Sequence, residues 1–231
     1  MTPILRAQGL SKSFGARKAL DDVSLEVKAG EFVAVLGASG SGKTTLFRCL
    51  TRLTEADRGT IELGGKPFHA LRGRQLAAAR RRIGVVFQQF NLVRRLSALD
   101  NVLAGRLAAA PLWRVMLRTF DSKDESIAIR ALLEVGLGEH LDQRADTLSG
   151  GQQQRVAIAR AIAQHSHIIL ADEPVASLDP ETAVSILELL SNLARSSGIA
   201  MICTLHQPQL AERFADRILT MEAGTLTVQR S

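Results

Sequence analysis

The sequence predicts an α/β fold, a mainly parallel sheet covered by helices with a helical block inserted in it. Three observations lead there. A continuous apolar run, Phe32–Leu36, is followed at once by the glycine-rich octapeptide Gly37-Ala38-Ser39-Gly40-Ser41-Gly42-Lys43-Thr44 and then by apolar residues at helical spacing. Two more parallel-strand signals, 168–171 and 199–204, flank a helical pattern over about 181–196. Between these strand-rich ends, residues from about 97 to 165 turn helical, and the return of strands afterwards marks that block as an insertion, not a second fold in tandem.

Taken in order, residues 4–10 and 21–28 alternate apolar and polar side chains, as half-buried strands do. Lys28-Ala29-Gly30-Glu31 is a turn before the buried strand 32–36. A helix from Thr44 to Leu53 follows, with Leu46, Phe47, Leu50 and Leu53 on its apolar face. Residues 59–68 read as a hairpin, and 83–87 as another buried strand ending at Gln88-Gln89. In the helical block, Leu99, Val102 and Leu103, then Ile129, Leu132 and Leu133, carry the periodicity, and Gly136 is a helix stop. The helix over 181–196 turns Val184, Leu187, Leu190 and Leu193 inward, and Ala223-Gly224 is a final hairpin turn.

A chain of 231 residues is long enough for one large core with an inserted subdomain. The expected division is a single domain, 1–231, whose core is 1–88 and 166–231 and whose helical subdomain is about 89–165. Cys49 and Cys203 lie far apart in apolar stretches, which predicts reduced, buried thiols. No run approaches the roughly 18 apolar residues of a membrane span, and the N-terminus lacks a signal-peptide pattern. The formal charge is +6, but the basic clusters Arg80-Arg81-Arg82 and Arg94-Arg95 are short and lack interleaved aromatics. They predict a solvated basic face near a membrane partner and no nucleic-acid partner.

The octapeptide satisfies G-x-x-x-x-G-K-[ST] in full, in the strand–loop–helix context that a phosphate site requires. Gly37, Gly40 and Gly42 let the backbone curl so that N–H groups, including those of Ser39 and Ser41, point at phosphate oxygens, with the positive end of the following helix behind them. Lys43 is then placed for the β- and γ-phosphates, Thr44 for Mg²⁺, and Thr45 completes the cradle. Asp172 and Glu173 end the strand 168–171, which puts both carboxylates at the carboxyl edge of the sheet, where open α/β folds bind ligands. Asp172 is the candidate for the Mg²⁺ shell and Glu173 the candidate general base toward an attacking water. Ser149 caps a helix that begins Gly150-Gly151-Gln152, leaving a second helix N-terminus free to face an anion.

Leu148-Ser149-Gly150-Gly151-Gln152, beside these phosphate and carboxylate motifs, resembles the signature of the ABC-type ATPases. The resemblance implies a P-loop NTPase core of RecA-like type, with an antiparallel β subdomain and the inserted helical subdomain. It also implies ATP and Mg²⁺ as ligands, and a homodimer in which Ser149, Gly150, Gly151 and Gln152 cap the γ-phosphate held by the other copy. By the same resemblance Phe14 stacks on adenine in place of the commoner tyrosine, and Gln88 is the glutamine that meets Mg²⁺ or water. Asp179 belongs to the loop Ser177-Leu178-Asp179 and also starts a helix with Pro180, while His206 is the switch histidine at the γ-phosphate. His69, His140, His165 and His167 match no motif and are expected in solvent.

Long stretches beyond these motifs are similar to the phosphonate importer ATPases: Gln88 to Ser97, Asn101 to Leu107, Pro111-Leu112-Trp113-Arg114, Leu170 to Pro180, and Thr204-Leu205-His206-Gln207. That similarity implies uptake of phosphonate, phosphite or hypophosphite at the cytoplasmic face of the membrane. The implied partners are two transmembrane permease subunits and, indirectly, an extracytoplasmic substrate-binding protein. An exporter or lipoprotein-release subunit is the alternative, and a soluble nucleic-acid-associated ATPase a weaker one. The permease groove is expected just after Gln88, at Phe90, Leu92 and Leu96, with Arg94 and Arg95 on its rim.

Overall fold

The computed structural model describes residues 2–107 and 120–229. Pro111-Leu112-Trp113-Arg114 lies outside the described residues. Two sheets organise the rest. The first is antiparallel, in the order β2-β1-β4-β5, from β1 (Leu5–Phe14), β2 (Arg17–Val27), β4 (Arg58–Leu63) and β5 (Lys66–Pro67). The β4–β5 pair is the hairpin predicted over 59–68. The 4–10 and 21–28 strands are there too, but they run toward each other as far as Phe14 and Arg17, a hairpin the sequence reading did not see.

The second sheet has six strands, in the order β10-β9-β3-β8-β7-β6. Here β3 is Phe32–Leu36, β6 is Ile83–Phe87, β7 is Ile168–Asp172, β8 is Ala200–Leu205, β9 is Arg217–Glu222 and β10 is Thr225–Gln229. The five strands from β9 to β6 run parallel, and only the terminal β9–β10 hairpin is antiparallel, turning at Ala223-Gly224. Burial on both faces explains why these strands read as unbroken apolar runs. Phe32, Ala34 and Leu36 enter one core with Ile169, Ala171, Met201 and Cys203, while Val33 and Val35 enter the other with Ile168, Leu170 and Ile202.

Seven described α-helices surround the sheets: α1 (Lys43–Leu50), α2 (Gly73–Arg80), α3 (Ala98–Leu103), α4 (Ser122–Glu134), α5 (Gly150–Ala163), α6 (Pro180–Ser197) and α7 (Pro208–Phe214). Helices α3, α4 and α5 pack on one another through Val102, Ile127, Ala131, Leu132 and Val156. The Gly136 stop is a Schellman closure: Gly136 N–H donates to Leu133 O (3.0 Å) and Leu137 N–H to Leu132 O (2.8 Å). Leu53 and Leu133 depart from expectation. α1 ends at Leu50, so Leu53 falls past it and is 62% exposed, and Leu133 turns outward at 57%.

Both cysteines are free and buried, and burial pushes the Cys49 thiol up to about 11. The arginine triplet is not a solvated face. Arg80, Arg81 and Arg82 are half-buried, and the Arg80 guanidinium donates to the carbonyls of Thr51 (3.2 Å) and Arg52 (2.5 Å), tying α2 to the end of α1. Among the described residues, no helix is long and apolar enough to cross a membrane.

Candidate nucleotide site

The loop between β3 and α1 is built to leave donors bare. Gly42 is the N-cap of α1, in the left-handed region (φ 117°), and no side chain caps it. A Cβ at Gly42 would lie 2.5 Å from the Ala19 carbonyl, so both conformation and space demand glycine. The first N–H groups of α1 therefore point into the loop together with the positive end of the helix. Lys43, only 4% exposed, folds back over the loop, and its ammonium donates to Gly37 O (2.7 Å) and Ala38 O (2.9 Å). The result is an anion cradle with its cation already in place.

A cleft of about 270 Å³ opens in front of this loop, lined by Phe14, Arg17, Ala19, Ser39, Gly40, Gly42, Lys43, Thr44, Thr45 and Glu173. Phe14 stands at its mouth, 53% exposed, with the Lys12 ammonium 5.5 Å from the ring centre. Sequence reasoning missed Arg17, whose guanidinium donates to Gly40 O (2.8 Å) and so ties the β1–β2 hairpin to the phosphate loop.

The two carboxylates sit at the end of β7, as expected. Glu173 follows the strand with φ 50°, left-handed backbone that a non-glycine residue adopts only when its surroundings hold it there. Its Oε1 accepts from His206 Nε2 at 2.7 Å. Burial pushes the Asp172 carboxyl above its ordinary range and the charge of Glu173 adds to this, while a hydrogen bond from Thr204 and the cations Lys43 and Arg48 pull it down. The register pairs Phe87 with Asp172, so Gln88 leaves β6 beside the carboxylates, exposed, though it does not line the cleft.

The signature segment lies elsewhere. Ser149 is the N-cap of α5, and its N-terminus is less free than the sequence suggested. A capping box closes it: Gln152 N–H donates to Ser149 Oγ (3.3 Å) and Ser149 N–H to Gln152 Oε1 (2.9 Å). Gly150 and Gly151 keep the helix's bare donors. His140, expected in solvent, is half-buried and supports the box; Gln152 Nε2 donates to its Nε2 (3.1 Å), which leaves Nδ1–H to donate to Gln143 Oε1 (2.7 Å). His69 is likewise half-buried, with Nδ1 against the Ile61 carbonyl at 3.1 Å, whereas His165 and His167 are exposed.

A Cβ on Gly151 would lie 2.5 Å from Thr182 on α6, so glycine there admits close packing of the two helix starts. Asp179 caps α6 by accepting from Thr182 N–H (2.9 Å). Ser149–Gln152 and Asp179 thus form a second patch, apart from the cleft that holds Phe14, the loop and Glu173.

Phe90 and Leu92, expected to line a partner groove, are half-buried and pack against the main core. Arg94 and Arg95 are exposed and Leu96 half-buried. Phe90 and Asn91 both have left-handed backbone (φ 58° and 49°), held by one side chain: Arg160 of α5 donates to Phe90 O (3.0 Å) and Asn91 O (2.7 Å). Burial works against the charge of Arg160.

The profile of the ABC transporter family matches residues 20–176, a stretch that runs from the cleft wall through both glycine motifs to the carboxylates. The chain belongs to the ABC transporter family. Within it, the chain is 49% identical over 220 residues to the hypophosphite import ATP-binding protein HtxD of Stutzerimonas stutzeri, a match covering 95% of this chain and 64% of that protein. It is 47% identical over 223 residues to the phosphonates import ATP-binding protein PhnC 2 of Rhodopseudomonas palustris, covering 96% of this chain and 82% of the relative. The chain therefore spans less than two thirds of the first relative and about four fifths of the second. Among solved ABC cassettes, a bacterial one determined as a dimer superposes with a TM-score of 0.84 at 32% identity, over 98% of this chain and 99% of the other. An ABC cassette in its ADP conformation gives 0.87 at 28% identity, over 100% and 92%.

Proposed function

We propose that this chain is the ATP-hydrolysing subunit of an ABC importer that takes up phosphonate or a reduced-phosphorus anion, phosphite or hypophosphite. It would work at the cytoplasmic face of the membrane with two permease subunits and an extracytoplasmic binding protein. The observation that carries the reading is a split site. One chain supplies a complete phosphate cleft with a carboxylate and a histidine at its edge, and a separate patch of bare helix donors that its own cleft cannot use.

Two copies facing each other would bring Ser149, Gly150, Gly151 and Gln152 of one, with Asp179, against the phosphates held by Gly37–Thr45 of the other. Phe14 stacks on the adenine. Lys43 exchanges its two loop carbonyls for phosphate oxygens, a charge-assisted trade. Glu173 takes the proton of the attacking water, and His206, already bonded to it, orients the carboxylate and meets the γ-phosphate. In this reading the core 1–88 and 166–231 holds the nucleotide, and the subdomain of about 89–165 presents the signature and meets the permease.

The donor set suits Mg²⁺. Asp172, the exposed Thr44 hydroxyl and Gln88 offer hard oxygens beside the cradle, and among the described residues no group of three His, Cys, Asp or Glu forms an all-protein cage. Such a site fits an ion that arrives with phosphate oxygens, and when bound the ion neutralises charge on the β- and γ-phosphates.

Two experiments test the reading. E173Q should retain ATP binding, lose more than about 100-fold in turnover and stabilise the ATP-bound dimer, since charge goes while shape stays; near-normal hydrolysis would remove Glu173 from the role. ATPase activity of the assembled transporter, titrated with phosphonate, phosphite, hypophosphite and phosphate, should rise with one of the first three. A response to none would refute the proposed cargo.

A further inference from the structure

The strand β8 carries one polar side chain in an otherwise apolar run, Ala200-Met201-Ile202-Cys203-Thr204-Leu205, and that side chain is fully buried. A hydroxyl in such a place needs partners, because an unpaired buried polar group is destabilising. Thr204 finds both of its partners at the carboxylate corner of β7. Its Oγ accepts from the Glu173 N–H at 2.7 Å and donates to Asp172 Oδ1 at 3.0 Å. One oxygen thus bridges the backbone of one acidic residue and the side chain of the next.

The bridge falls where the backbone is strained. Glu173 sits at φ 50°, a conformation that is costly for a non-glycine residue and persists only when the surroundings hold it. The hydrogen bond from its N–H is a direct restraint on that peptide, separate from the His206 contact, which falls on the side chain. Turning the Glu173 backbone to an extended conformation would swing its Cβ away from the cleft and leave the Thr204 oxygen without its donor.

We propose that Thr204 is a positioning residue: its hydroxyl holds Glu173 in the left-handed conformation that aims the carboxylate into the cleft, and fixes the neighbouring Asp172 carboxylate in the same stroke. The inference rests on the reading of Glu173 as the base. Thr204 touches no reacting atom; it acts through the two residues it bridges.

Valine matches threonine in shape and removes only the hydroxyl, while serine keeps the hydroxyl and loses a methyl group. T204V, T204S and E173Q are compared in ATPase kinetics, in binding of a fluorescent ATP analogue without Mg²⁺, and in Tm. T204V is expected to lose about ten- to hundredfold in kcat, with KM and Mg²⁺-free nucleotide binding changed less than about threefold, because misaiming the base damages turnover and not the phosphate cradle. T204S is expected to return to within about threefold of the native kcat. Native kcat in T204V beside an inactive E173Q would overturn the inference and leave the base in place. An active E173Q would overturn the base, and the inference with it. Parallel losses of kcat, nucleotide binding and Tm in both T204V and T204S would show a packing role only and overturn the proposal as well.

Discussion

Two helix starts of this chain carry glycine in or beside their first turn, Gly42 before α1 and Gly150-Gly151 in α5, and they are finished in opposite ways. At α1 the N-cap is Gly42, without a side chain, and the nearest cation is the buried ammonium of Lys43. At α5 the N-cap is Ser149, closed by a reciprocal pair of bonds with Gln152 that His140 supports from behind. The first end holds charge and no cap, the arrangement that the proposed function assigns to the phosphates. The second is a helix start closed by its capping box, and the proposed function has Gly150 and Gly151 complete the anion site of another copy.

The strongest way to break this contrast is Gly42→Ala. The added Cβ meets the Ala19 carbonyl and the left-handed backbone is no longer free, so a loss of about 2 kcal/mol or more is expected, with nucleotide affinity down at least about tenfold. A fluorescent-nucleotide titration reads it. Next comes Ser149→Arg, which fills the second patch: single-chain nucleotide affinity should stay within about twofold while hydrolysis falls more than about 100-fold. If the substitution instead removes binding by the single chain, the two-patch description is wrong.

The smallest effect concerns pH. The Asp179 carboxyl is held below its ordinary range by its hydrogen bonds to Thr182, and it is fully exposed. A depressed acid stabilises its cap above the ordinary aspartate range and loses that contribution as pH falls through the depressed value. Acidification should therefore loosen the start of α6, beside the signature, and leave the uncapped start of α1 unaltered. The Thr182 amide resonance should shift with a midpoint below that of a free aspartate, and Asp179→Asn, which keeps an acceptor but does not titrate, should abolish the shift.

The parallel strands were legible because double-sided burial writes them as unbroken apolar runs. The phosphate loop was legible for a sharper reason, since several positions in it are fixed by contact or conformation, as Gly42 demonstrates. Helix α2 was not legible: it buries no side chain and carries no apolar stripe to find. The state of the second helix start was half legible. Ser149 with Gln152 three residues on is the spacing of a capping box, yet the sequence reading took the serine as a cap and left the end open. Phe90 and Leu92 are half-buried against the core, a placement that the sequence does not distinguish from a partner-facing one, because an apolar residue beside a motif can face either. Thr204 had a visible signal, a lone hydroxyl in a buried strand, that a search for known motifs passes over.

Arg160 ties these parts together mechanically. It stands ten residues from the start of α5, about 15 Å along the axis at the rise of an α-helix. At that point its two short bonds clamp a turn whose backbone has no relaxed alternative of the same shape. A helix that stiff behaves as a pushrod. Arg160→Ala removes both bonds from the turn after Gln88 and leaves Ser149 and its two glycines in place at the other end of α5. The turn after Gln88 and the second patch are thus joined through one helix, with Arg160 at one end and Ser149 at the other.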